Sequence, residues 1–394
     1  MHTFMNVTPA SMTSTALRCL RRNQWTVSLV LGAGIVGLGA LSLIQVGPEE
    51  KQKTPQSQPS TASTDSSSIS DRRLVGHLGT GPSGEVAVDS QIAYIKSGTN
   101  LVVVGVSDPT NPVRVGRASM LGPIADIVVE EERAYVVTNH VGIGGAPYET
   151  EVYGLEVVDV SDPTAPKTTD AFKTSGVASE VALTQDFAFV ADGGDGLRVI
   201  DISDPNRLRE VSFFSSSSSA LAVAVSEGRA YLAGGPEGLW VIDAGRPFVY
   251  LEKLGRYTPE AHVMDVTVTG DYAFTVVRNR AAGDRTSDVR VVDVSDPKSS
   301  REVGGFELPG LVGHLTVAGN HAYVSVRGAL LIFDISDPAN PRPTDTLETE
   351  VPGMGSDGEP AAISGEVVPS GQYAYLASNQ YPRGLYIVEL DGEQ

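Results

Sequence analysis

Cysteine is almost absent from this chain. The single one, Cys19, lies in a basic leader, so the remainder has no disulfide, no thiolate metal site and no cysteine nucleophile. Ala16, Leu17 and Arg18 before it lack the apolar run that precedes a lipoprotein cysteine. Tryptophan is nearly as scarce, with only Trp25 and Trp240, which leaves Tyr148, Tyr153, Tyr257 and Tyr381 as loop aromatics for gripping a sugar. Basic residues are in deficit, 29 against 48 acidic ones, for a net charge of −19. Such a field repels phosphate backbones and anionic headgroups, which argues against nucleic acid as a partner and for cations or basic ligands. No P-loop, dinucleotide fingerprint, nucleophile elbow or zinc-binding pair occurs. With 6% aromatic and 20% charged residues and aperiodic glycine, the composition is that of a globular chain, not of a disordered polyelectrolyte, a coiled coil or collagen.

Only one long apolar run exists. From Trp25 to Val46 the chain reads WTVSLVLGAGIVGLGALSLIQV without a charge. At about 1.5 Å per residue a helix of this length crosses a hydrocarbon core of about 30 Å. Arg18, Arg21 and Arg22 precede it, whereas Glu49 and Glu50 follow. The positive-inside rule then puts the N-terminus in the cytoplasm and everything after residue 47 in the periplasm or extracellular space. The competing reading is a cleaved signal peptide with a small-x-small site at Ala40 and Ser42, which keeps export but replaces the anchor by secretion. Residues 47–70 are rich in Ser, Thr, Pro and Gln and have almost nothing to bury, so they read as a disordered linker. The expected organisation is a cytoplasmic leader 1–25, a transmembrane signal-anchor helix 26–46, that linker, and a repeat domain 71–394.

The repeat is carried first by an alanine followed by an aromatic: Ala93-Tyr94, Ala134-Tyr135, Ala188-Phe189, Ala230-Tyr231, Ala273-Phe274, Ala322-Tyr323 and Ala374-Tyr375. Each is followed by a second apolar segment, such as LVVVGVSDP at Leu101, LEVVDVSDP at Leu155, LRVIDISDP at Leu197, VRVVDVSDP at Val289 and LLIFDISDP at Leu330. Periods of about 41 to 55 residues indicate a repeat array. Within one unit, short β-branched and aromatic runs (EVALT, FAFVAD, LRVIDIS, REVSFF) are separated by turn chemistry, which predicts four antiparallel strands. Seven such sheets without helical periodicity between them predict an all-β, seven-bladed β-propeller of four-stranded blades. Only nine residues follow Leu385, too few for another strand, and Asp71 to Leu78 matches the fourth-strand segments of other units. The N-terminal strand 72–78 is therefore expected to complete the last blade and hide its edge.

The Ser-Asp-Pro triplets at Ser107, Ser161, Ser203, Ser295 and Ser336 read as turns between third and fourth strands, because Asp accepts a local backbone bond and Pro fixes φ. The Asp192 to Gly196 segment reads the same way, since it lacks the ligand count of a calcium loop. Together the Ala-aromatic strand and the L-x-V-V/I-D-V/I-S-D-P strand resemble the LVIVD-repeat family of bacterial and archaeal envelope proteins. Asp243-Ala244-Gly245-Arg246-Pro247 and the terminal Glu389-Leu390-Asp391-Gly392 depart from it. The resemblance implies a propeller and an envelope location, and carries no reaction to transfer.

Unit length varies in one half only. Insertions fall near 139–154 and 277–288, between second and third strands, and in the segment ETEVPGMGSDGEPAAISG between the sixth and seventh units. Those loops and links all emerge on one rim of a propeller, and a loop-decorated rim on a rigid scaffold is where binding is expected. Counting back nine residues from each aromatic gives Glu85, Asp126, Glu180, Ala222, Asp265, His314 and Glu366. These residues open the axial strands on that same rim. Two readings follow: they cap strand starts, or they converge around the channel mouth and hold a metal ion or basic ligand there. An all-carboxylate set suits Ca or Mg better than zinc. His140, His262 and His321 are scattered in repeat phase and have no ligand spacing.

The function expected from these features is a membrane-tethered, extracytoplasmic binding or scaffolding propeller, presenting an acidic face to an envelope protein, an extracellular protein or a small ligand. The alternative is a metal-dependent hydrolase or lactonase, with Glu85, Asp126, Glu180, Asp265 and Glu366 on a divalent ion and His314 as base.

Overall fold

The computed structural model describes residues 74–139, 154–216, 219–248, 251–278, 286–348, 350–354, 360–362, 365–379 and 383–390. Seven four-stranded antiparallel sheets form a ring, as the repeat predicts. Their innermost strands are Val86–Asp89, Ile124–Glu130, Glu180–Thr184, Ala222–Ser226, His262–Thr269, Val312–Ala318 and Val367–Ser370, which open blades 1 to 7. In blades 1 to 6 the four strands follow one another in sequence order. Blade 7 has Val367–Ser370, Tyr373–Ser378 and Gly384–Glu389 in order, and its outermost strand is Leu74–Leu78 from the other end of the chain. Leu74 stands opposite Val388, and Leu78 opposite Leu385. Among the described residues no helix is long and apolar enough to cross a membrane. The expected anchor 26–46 and the linker 47–70 lie outside the described residues, as do 140–153 and 279–285 of the inserted loops. The insertion between blades 6 and 7 contains a two-stranded hairpin, Glu350–Met354 with Pro360–Ala362.

The Ala-aromatic dipeptide explains how identical sheets lock together. Successive residues on a strand point to opposite faces, so the alanine enters one inter-blade interface and the aromatic enters the next. Ala134 packs in the cluster shared by blades 1 and 2, whereas Tyr135 packs in the one shared by blades 2 and 3, beside Ala188. Phe189 then meets Ala230 between blades 3 and 4. The alternation runs right round to Tyr375, which lies with Ala93 between blades 7 and 1. All seven alanines are fully buried. A large ring on one sheet thus meets a methyl on the following one, which keeps interior packing dense.

A second device recurs at the outer edge. The fourth strand of every blade carries a bulge opposite its third strand, for example at Val199/Ile200 in blade 3 and Leu74/Gly76 in blade 7. Bulges bend and twist the edge strand. In blade 1 the residue after the bulge is Gly116, and a Cβ there would lie 2.0 Å from the Pro163 carbonyl oxygen of the blade 2 Asp-Pro turn. Gly255 relates to Pro297 in the same way, and Gly76 to Pro109 across the closing seam. The Ser-Asp-Pro turn is therefore an inter-blade rest as well as a chain reversal. Its shape comes from two nested side-chain turns: Asp159 Oδ1 accepts from Ser161 N and Oγ, and Asp162 Oδ1 accepts from Thr164 N and Oγ1. Those bonds favour the charged carboxylates and pull both pKa values down. Where blade 4 departs from the motif, Gly245 N still donates to Asp243, and Phe248 packs edge-on against Phe187 of blade 3.

Candidate functional site

The axial strands enclose a cavity of about 620 Å³. Glu85, Asp126, Glu180, Asp265, His314 and Glu366 all line it, so the structure brings the six ionisable residues of the repeat position to one place. The seventh position is Ala222. Links between blades open on the same rim, where Leu121, Val177 and Leu311 are exposed apolar side chains.

Most of the carboxylates have a defined local task. Glu366 Oε2 in blade 7 accepts from Val86 N in blade 1 at 2.6 Å. Asp126 Oδ2 in blade 2 accepts from Val181 N in blade 3 at 2.8 Å, while its Oδ1 takes the following Ile127 N at 2.7 Å. Glu180 accepts from Val223 N in blade 4, and Asp265 from Leu315 N in blade 6. The acid of one blade thus reaches the residue after the ring position in the next. Where Ala222 has no carboxylate to offer, Asp265 Oδ1 binds its own neighbour Val266 N at 2.7 Å. Glu85 is the exception: its partner is Lys96, with Nζ 3.6 Å from Oε1. His314 Nε2 stands 3.9 Å from Glu366 Oε1.

Burial is the main electrostatic influence on this ring, and mutual repulsion adds to it. Glu85 is pushed up to about 7 by desolvation, with Lys96 opposing and Asp126 and Asp265 reinforcing. Asp126 is raised to about 6, held back by its two backbone donors. Glu180 and Glu366 are driven well above the usual carboxylate range by burial and then by neighbouring acids. His314 is lowered by burial, against the pull of Asp265. Near neutral pH the mouth therefore carries bound protons, and its charge is smaller than the residue types imply. Among the described residues no three His, Cys, Asp or Glu side chains lie close enough together to hold one metal ion. The six are spread around the cavity wall.

Several polar groups at this rim have no signature in the repeat. Lys96 lies on the second strand of blade 1, and Arg278 ends the second strand of blade 5 and lines the cavity. Glu156 is buried, with Oε1 accepting from Leu121 N and Thr138 Oγ1 at 2.9 Å each. Asp192 is buried beneath Gly176, whose N–H it binds, and stands 3.4 Å from Arg198 Nε. Only an acid embedded in an apolar strand or turn hinted at these anchors.

Six consecutive stretches within residues 80–348 match the LVIVD repeat model: 80–119, 152–174, 175–215, 218–247, 261–307 and 309–348. The chain belongs to the LVIVD-repeat family. Together the matches span more than half of the sequence. The seventh LVIVD-type sheet, built from 365–390 and 74–78, lies outside the matched stretches. A comparison with curated proteins found no match. Among solved structures the chain is similar to the β-propeller domain of Myceliophteria thermophila Cps50 (Swd1), with TM-score 0.55, 12% identity, and coverage of 81% of this chain and 99% of that one. It is also similar to the N-terminal domain of Nup159 (TM-score 0.52, 13% identity, 80% and 94% covered). The computationally designed Ika8 protein gives TM-score 0.52 at 10% identity, with 81% and 100% covered. At these identities the likeness is one of fold alone.

Proposed function

We propose that this LVIVD propeller is an extracytoplasmic binding module, tethered to a membrane by Trp25–Val46, whose channel rim receives basic side chains of a partner protein. The observation that carries the reading is the convergence of five carboxylates and His314 on one cavity, on the rim that also bears the exposed Leu121, Val177 and Leu311. Apolar residues around a polar centre are the usual composition of a recognition surface. Raised carboxylate pKa values mean that an entering ammonium or guanidinium group displaces protons, so binding tightens as pH rises.

Calorimetry with an oligolysine peptide tests the site. The full chain should bind it and release protons, and the Asp126→Asn/Glu180→Gln/Asp265→Asn variant should not bind. Undiminished binding by a folded triple variant would move the partner elsewhere. The membrane assignment is tested separately by fusing, after Ser70, a reporter that is active only outside the cytoplasm. Activity retained inside the cell refutes the topology and leaves the ring unaffected.

A further inference from the structure

The repeat provides an internal control for each position of the rim. Four residues after the aromatic, blades 2, 3 and 4 each tie themselves to the next blade. Asn139 Nδ2 donates to Ala178 O at 3.0 Å, Gly193 forms a bridge with Ala220, and Gly235 forms one with Val263. The equivalent residue in blade 5 is Arg278, and among the described residues its Nε is buried and has no hydrogen-bond partner. Arg278 is thus unnecessary for the inter-blade contact that this position makes elsewhere.

Its neighbours are also donors. Arg278 stands opposite His262 on the first strand and opposite Ser287 on the third. Residues directly paired across antiparallel strands project from the same face, so the three side chains form a row. Ser287 is 1% exposed, and its Oγ is a second buried polar atom without a partner among the described residues. Two unpaired donors in adjacent register are costly unless something accepts from them.

Of this row, His262 and Arg278 line a second cavity of about 410 Å³ between the turn of blade 4 and the inner strand of blade 5, with Leu221, Pro236 and Met264 as its apolar walls. One wall is pinned by the reciprocal bonds Gly235 N to Val263 O at 3.0 Å and Val263 N to Gly235 O at 2.9 Å. No carboxylate lines this cavity among the described residues, in a chain with 48 acidic ones. Lys96, rather than Arg278, is the cation that lowers Glu85 and Asp126 in the central ring.

We infer that the pocket of His262 and Arg278 binds the carboxylate of a small ligand whose apolar body lies on Leu221, Pro236 and Met264. The guanidinium matches a carboxylate in shape as well as in charge. This site adjoins the acidic channel through Leu221, Met264 and Arg278 and selects the opposite ligand charge.

Hexanoate is a suitable probe, with hexanamide as its neutral counterpart. The full chain, carrying isotope-labelled methionine methyl groups, is titrated by NMR, and the Met264 signal is assigned with Met264→Leu. Hexanoate should shift that signal saturably, and hexanamide should bind roughly tenfold or more weakly, the loss expected for one charge-assisted contact. Arg278→Gln should weaken hexanoate by a similar factor, and Arg278→Lys by less. Equal binding of acid and amide, undiminished hexanoate binding by a folded Arg278→Gln protein, or no response of Met264 up to the solubility limit would each overturn the assignment. So would a result in which Arg278→Gln alters only the titration of the ring, which would make Arg278 a counter-ion of the channel.

Discussion

Replacing Glu85 with glutamine should stabilise the protein at alkaline pH and leave it unchanged in acid. Folded Glu85 keeps its proton to about 7, against 4.5 for the ordinary side chain. Between those values the folded state binds more protons than the unfolded chain, so each rise in pH favours unfolding. At about 1.36 kcal/mol per unit the whole displacement corresponds to roughly 3 kcal/mol. The side chain is 26% exposed and solvent screens it, so about 2 kcal/mol is the expected penalty. Glutamine cannot ionise and escapes this cost, while the lost ion pair with Lys96 returns less than about 1 kcal/mol. Unlike Glu366 and Asp126, whose carboxylates hold the next blade's backbone, Glu85 is paired with a side chain of its own blade, so the substitution leaves the inter-blade bonds intact. Urea unfolding midpoints measured at intervals from about pH 4 to about pH 8.5 should nearly coincide at the acid end, separate as pH rises towards about 7, and keep a steady gap above that, with the variant the more stable. A gap of the same size at the acid end as at the alkaline end, or a variant less stable at the alkaline end, would show that Glu85 is not an acid held protonated by its surroundings.

Three further outcomes follow from the inter-blade contacts. Gly116→Ala places a methyl 2.0 Å from the Pro163 oxygen and should lower stability by roughly 2–4 kcal/mol, seen as a shifted denaturant midpoint; a neutral effect would refute the close approach. Ala188→Leu overfills the interface that Ala188 shares with Tyr135 and should cost about 1–3 kcal/mol, read from thermal unfolding. Deleting residues 71–79 removes the partner of Gly384–Glu389 and should broaden the transition and promote aggregation, measured by light scattering; an unchanged melt would show that blade 7 does not need the strand.

The blade count and the four-strand pattern were legible because they rest on local periodicity: an alanine and an aromatic on opposite strand faces, and a turn with its own hydrogen bonds. The common position of Glu85, Asp126, Glu180, Asp265, His314 and Glu366 was legible for the same reason, since residues in one repeat phase must share one height in the ring. Their partners were not. Whether Asp126 faces the channel or the Val181 N–H depends on the offset between neighbouring sheets, which no single strand encodes. Arg278 escaped because it departs from the repeat, and a search for recurrence passes over what occurs once. The bulges that bring Gly76, Gly116 and Gly255 against proline carbonyls left only isolated glycines in the sequence.

The pairing of Leu74–Leu78 with Gly384–Glu389 also sets a timetable for biosynthesis. The first strand of the ring waits for a partner in its last blade, so during translation the ring stays open until nearly all of it has emerged. Throughout that interval an apolar edge segment and the face of blade 1 that later meets blade 7 are uncovered, and closing the ring brings together residues at the largest sequence separation in the domain. Anything that stalls the chain before Glu389 leaves a nascent protein with both sides of its seam available to other strands.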